Sequence, residues 1–94
     1  VSIVVIALCV VALVLAVPRL EKLLLVASTL QVAMLEYVNS AIEATLDRIS
    51  TEPHPLAKSA KDFASVAVAL AAVIALSCWA TIAGPLVVAW LELG

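Results

Sequence analysis

Three apolar runs dominate the pattern of the chain: residues 1–17, residues 23–38, and residues 63–91 with an interruption at Gly84-Pro85. A bilayer-crossing helix needs roughly 20 residues at about 1.5 Å each. The third run is therefore long enough alone, and the second becomes so once its polar end reaches the interface. Polar positions mark the breaks. Pro18 suits the first residue of a new helix, and STEPHP, residues 50–55, joins the turn formers Ser50 and Thr51 to the helix breakers Pro53 and Pro55. The pattern predicts an all-α integral membrane protein: one transmembrane domain over residues 1–94, with helices at about 1–17, 19–49 and 56–91. A very short turn makes the first two antiparallel neighbours, and 50–55 is the only real loop. Gly84-Pro85 reads as a kink or an end.

Composition supports the membrane reading: 66% of residues are hydrophobic and 13% charged, with a mean hydropathy of +1.26, against roughly 45–50% apolar residues in a soluble domain. The net charge of −2 offers no basic surface for nucleic acid. The charges gather at Arg19, Glu21 and Lys22 and again over residues 43–62, as boundary markers do. Arg19 and Lys22 lie in the first connection, while Arg48, Lys58 and Lys61 flank the second. By that margin the positive-inside rule leans toward a cytoplasmic loop 50–55. Val1 opens inside an apolar run without an initiator Met, a basic start or a polar cap, so a further N-terminal segment is expected. VPRLEK after that run is unlike a signal-peptide cleavage site.

Cys9 and Cys78 lie deep in apolar runs, where a free thiol acts as a small hydrophobe, and no C-x-x-C spacing points to a disulfide or a metal site. Gly84 and Gly94 are the only glycines, which excludes a P-loop and a GxGxxG turn. Any phosphate must be held by side chains and metal. Ala60, Ala64, Ala67, Ala71 and Ala75 form a small-residue stripe suited to close helix packing in lipid, although alanine is also a good helix former in itself. Tyr37, Trp79 and Trp90 are candidates for an interfacial aromatic belt.

The chemistry concentrates in EYVNSAIEATLDRI, residues 36–49. At 100° per residue, Glu36, Asn39, Ser40, Glu43 and Asp47 share one helix face, over about 16 Å of axis. Glu43 and Asp47 are a like-charge i,i+4 pair, which destabilises a helix unless a cation intervenes. Such a stripe is either the solvated end of a helix or a site. Glu36 directly follows VAML, where an ionisable group is costly and usually functional. Three carboxylates and an amide without a basic partner on that face suggest an Mg²⁺ site. AKDFAS, residues 60–65, returns beside it across the short loop: Lys61 and Ser65 are i,i+4, Asp62 and Ser65 i,i+3. Lys61 suits a polyphosphate beside Mg²⁺, or simply snorkels to the interface.

EYVNSAIEATLDRI followed by EPHPLAKSAKDFASVAVALA resembles the prokaryotic diacylglycerol kinase family, small membrane kinases that include undecaprenol kinases. The resemblance rests on E-x-x-N-S-A-I-E-x-x-x-D-R-I, then a His, then A-K-D-x-x-S, and covers essentially the whole chain. It implies transfer of the γ-phosphoryl of Mg-ATP to the primary hydroxyl of diacylglycerol, giving phosphatidic acid, by a homotrimeric helical bundle in the bacterial inner membrane with sites facing the cytoplasm. Residue by residue, it implies Glu36 as general base, Asn39 orienting groups near the γ-phosphate, and Glu43 as a metal ligand. Lys61 and Asp62 would contact the nucleotide, with Glu52 and His54 at its binding loop. Ser65 and Lys22 match positions near the lipid. Family members begin with an amphipathic surface helix carrying a second metal-ligating Glu, and that segment is expected to precede Val1. Undecaprenol is the alternative acceptor within the family.

Two other classes compete. A proton-coupled transporter needs a lone acid in the middle of a span, whereas these acids cluster at one helix end. A structural or assembly protein would account for the alanine stripe. ATP-dependent activity or Mg²⁺-dependent nucleotide binding separates the kinase reading from both.

Overall fold

The structure, a computed structural model, describes residues 2–93. It consists of three α-helices: α1 (Ser2–Val14), α2 (Arg19–Ile49) and α3 (Pro55–Leu93). Helix α1 ends three residues before the end of its apolar run. Leu15 still bonds Val11 O at 3.1 Å, and then Val17 N closes a tight turn on Leu15 O at 2.9 Å. Pro18 is the N-cap of α2 rather than its first residue. Its ψ of 156° is extended, while its carbonyl already accepts Lys22 N at 3.0 Å. Lys22 Nζ turns back to donate to Leu13 O at 3.0 Å, satisfying one of the orphan carbonyls at the end of α1.

The loop 50–55 is organised by its own side chains. Ser50 caps α2 in an extended conformation, and its Oγ accepts Glu52 N at 3.0 Å. His54 is the N-cap of α3: its carbonyl accepts Lys58 N, and its Nδ1 accepts Leu56 N at 3.1 Å, leaving Pro55 in the first helical position. Helix α3 then runs unbroken to Leu93 with Pro85 inside it, so Gly84-Pro85 is an interruption of its hydrogen bonds and not an end. Gly84 removes the Cβ that would press on the proline ring in helical backbone.

Helices α2 and α3 form an antiparallel pair in one register. Thr29 meets Trp79 and Asp47 meets Lys61; the paired numbers sum to 108 in both cases. The pairs are 18 residues apart on each helix, about 27 Å at 1.5 Å per residue. Ala64 and Ala71 of the alanine stripe are buried, letting the two backbones approach. Helix α1 packs antiparallel on α2, and α1 and α3 make no close backbone approach to each other. Thus α2 is the central helix and a gap remains between its neighbours.

The buried core is thin: Ala12, Leu25, Ala64 and Ala71, with Ser28 and Thr29. An accessible surface of 6873 Å² exceeds the roughly 5200 Å² of a compact soluble chain of this mass. The excess is apolar, with Ile3, Leu20, Phe63, Leu70 and Trp90 all exposed. Helices α2 and α3 are each long and apolar enough to cross a membrane. Helix α1 is apolar but has 13 residues, about 20 Å, shorter than the span predicted for it.

Candidate active site

Two cavities flank the polar end of α2. The first, about 580 Å³, lies over the loop and gathers all four residues expected at a nucleotide: Glu52, His54, Lys61 and Asp62, together with Asp47 and Lys58. The second, about 570 Å³, is an apolar groove between α1 and α3. It is floored by Thr29, Val32 and Glu36 of α2, with Val5 and Leu8 on one side and Ala75 and Trp79 on the other. Asn39, Glu43 and Ser65 belong to the stretch between the two. The register that pairs Asp47 with Lys61 sets Glu43 level with Ser65.

Charge is already partly neutralised in the loop cavity. Lys61 Nζ donates to Asp47 Oδ1 at 3.0 Å, with the two side chains 41% and 59% exposed. Lys58 Nζ donates to Asp62 Oδ2 at 2.8 Å. Asp47 thus has a basic partner after all, supplied by α3, and the like-charge strain with Glu43 is relieved from the neighbouring helix. The sequence pattern of α2 alone could not reveal that partner, nor Lys58. The spacing of Lys58 and Asp62, four residues apart on one helix, was the available signal.

The unsatisfied groups are elsewhere. Glu36 Oε2 and Asn39 Oδ1 are buried and have no hydrogen-bond partner. A buried polar atom without a partner is costly, so these two acceptors, three residues apart on one face, point to a ligand that donates. Glu43, one turn further toward the loop, is exposed. Among the described residues, no three His, Cys, Asp or Glu side chains converge to hold a metal by themselves. The three carboxylates of the stripe do not converge: they are spread over about 16 Å of helix axis, and Asp47 turns to Lys61. The remaining donors still suit Mg²⁺, which is normally held by one or two carboxylates plus substrate phosphates.

Two expected placements differ. Lys22 stands at the far end of α2 from Glu36, about 21 Å away along the axis, with its ammonium on Leu13 O; the structure does not bring it to the other residues. Trp79 is no belt residue: its Nε1 donates to Thr29 Oγ1 at 2.9 Å, while Thr29 Oγ1 donates to Leu25 O at 2.7 Å. Tyr37 is exposed and its hydroxyl pairs with Ser2 Oγ at 2.8 Å.

A pair of membrane-length helices with buried acidic and amide acceptors and a charged loop cavity marks a small helical membrane protein with a candidate site. Residues 1–83 match the family model for prokaryotic diacylglycerol kinase, and the chain belongs to that family. It is 49% identical over 72 residues to a diacylglycerol kinase of Pseudomonas aeruginosa, covering 77% of this chain and 58% of that protein. Over 63 residues it is 43% identical to the Escherichia coli K12 diacylglycerol kinase, covering 67% and 52%. An undecaprenol kinase of Bacillus subtilis is 58% identical over 40 residues, 43% of this chain and 32% of that one. The chain spans little more than half the length of the diacylglycerol kinases it matches.

Proposed function

We propose that this chain carries the core of an ATP- and Mg²⁺-dependent lipid kinase that phosphorylates the primary hydroxyl of diacylglycerol. The observation that carries the reading is the pair of unpartnered acceptors, Glu36 Oε2 and Asn39 Oδ1, between a charged cavity over the loop and an apolar groove between α1 and α3. A nucleotide seated over Lys61, Asp62, Glu52 and His54 directs its phosphates down the α2 stripe past Glu43 to Asn39. A lipid rising through the groove presents its hydroxyl at Glu36.

Glu36 then accepts the hydroxyl proton as that oxygen attacks the γ-phosphorus, the bond to the β,γ-bridging oxygen breaks, and ADP leaves with the electron pair. Asn39 orients the transferring group, and Lys61 exchanges part of its bond to Asp47 for phosphate oxygens. Glu43, with substrate phosphates, would hold Mg²⁺. The ion, when bound, neutralises charge developing on the phosphates. Ser65, level with Glu43, would supply a hydroxyl contact for the lipid head. Three crossings per protomer, assembly as a homotrimer, and an inner-membrane orientation with loop 50–55 in the cytoplasm complete the proposal. The three basic residues around that loop support the orientation.

The test is transfer of labelled γ-phosphate from Mg-ATP to diacylglycerol in mixed micelles, with undecaprenol as a parallel acceptor. Labelled phosphatidic acid is expected. Label on undecaprenol alone would reassign the acceptor, and label on neither lipid would remove the kinase reading for this chain.

A further inference from the structure

The groove between α1 and α3 has two different ends. At its mouth Glu36 offers a buried oxygen with no partner. At its inner end, seven residues or about 10 Å along α2, Trp79 and Thr29 form a closed polar contact. The indole N–H goes to Thr29 Oγ1 at 2.9 Å, the Thr29 hydroxyl goes on to Leu25 O at 2.7 Å, and Thr29 is only 3% exposed. A ring tethered through its N–H and half buried on apolar neighbours is held in one orientation. Between the ends the walls are aliphatic and small, with Val5 and Leu8 facing Ala72 and Ala75.

An apolar trough with an unsatisfied acceptor at one end and a satisfied polar pair at the other fits an amphiphile: a hydroxyl at the head and one hydrocarbon chain beyond it. A helix from a second copy fits less well, because an apolar surface laid over Glu36 would leave its buried oxygen without a partner.

We propose that Trp79, held on Thr29, closes the inner end of a hydrocarbon-chain groove whose mouth is Glu36, so that the pair gauges one chain of a hydroxyl-bearing lipid at its middle. The inference rests on the lipid-kinase reading for the head group, but its test requires no turnover. The chain has two tryptophans, so Trp90→Phe leaves Trp79 as the sole reporter. Its fluorescence would be followed in phosphatidylcholine vesicles holding diacylglycerol brominated near the middle of one chain, and compared with phosphatidylcholine brominated at the same carbons.

Saturable quenching in excess of the phosphatidylcholine control is expected from the mid-chain bromines, and none in excess from bromines at the methyl end. Glu36→Ala should weaken the apparent affinity about tenfold, the worth of one hydrogen bond. Thr29→Val, which frees the indole, should extend the quenching to the methyl-end bromines. Equal quenching by the two lipids would mean ordinary bilayer contact and overturn the gauge. Absence of quenching from either would mean that another helix covers the groove, and would overturn it as well. Phosphoryl transfer measured on the same preparation keeps the two readings apart: saturable quenching without transfer sustains the gauge and sinks the kinase, and transfer without saturable quenching does the reverse.

Discussion

Glu36 and Glu43 are seven residues apart on the same face of α2, yet their surroundings separate their work. Glu36 has a buried, unpartnered oxygen, and Glu43 is open to solvent. Glu36→Gln keeps the shape and removes the proposed base, and should lower kcat by about 10²–10⁴-fold while nucleotide binding is unchanged. Retained turnover would remove Glu36 as the base. Glu43→Gln should instead raise the Mg²⁺ concentration needed for nucleotide binding, read by titrating the metal at fixed ATP. His54 combines a cap with a place in the loop cavity, and two substitutions divide these roles. His54→Asn keeps an N-cap acceptor, whereas His54→Ala loses it and should cost about 1 kcal/mol in unfolding of the detergent-solubilised protein. If both variants lose nucleotide affinity equally, the imidazole itself contacts the ligand. At this scale the sequence pattern was informative about Glu36, Asn39 and Glu43, since helical spacing alone puts them on one face. It did not reveal the bridge from Asp47 to Lys61, which arrives from another helix, or the bond from Trp79 to Thr29, 50 residues away in sequence.

Local hydrogen-bond chemistry explains which helix boundaries could be read in advance. The limits of α2 were legible because proline and a turn-forming loop bracket it. The end of α1 was not, because Leu15 to Val17 are as apolar as the helix before them, and hydropathy does not register the tight turn at Val17. The passage of α3 through Gly84-Pro85 was open between a kink and an end; the absence of a Cβ at Gly84 tips it to continuation. Among the described residues Leu25 is the one large side chain buried completely, and its carbonyl accepts hydroxyl bonds from both Ser28 and Thr29. Leu25→Ala should therefore destabilise the solubilised protein by about 2–5 kcal/mol, visible as a lowered unfolding midpoint. The Asp47–Lys61 bridge should contribute far less, about 0–1 kcal/mol in a double-mutant cycle, because both side chains are half open to water. A larger coupling would indicate that the loop cavity is drier than these exposures imply.

As a whole the molecule measures 57 × 23 × 18 Å, an elongated bundle with more surface than core. Its stability as an isolated chain in water would be small, since few side chains are withdrawn from solvent. Apolar residues cover it on nearly all sides, and the hydrocarbon of a bilayer is the environment in which that surface carries no penalty.

The single register of α2 against α3, together with the lack of any close approach between α1 and α3, has a consequence for how the chain reaches its native state. Close backbone approaches join helices that are neighbours in sequence, across connections of a few residues, so no long loop must close before the first tertiary contact forms. Topology of this kind folds quickly. The α2–α3 hairpin, fastened at Thr29–Trp79 and Asp47–Lys61, can zip from the loop downward as soon as both of its helices have emerged.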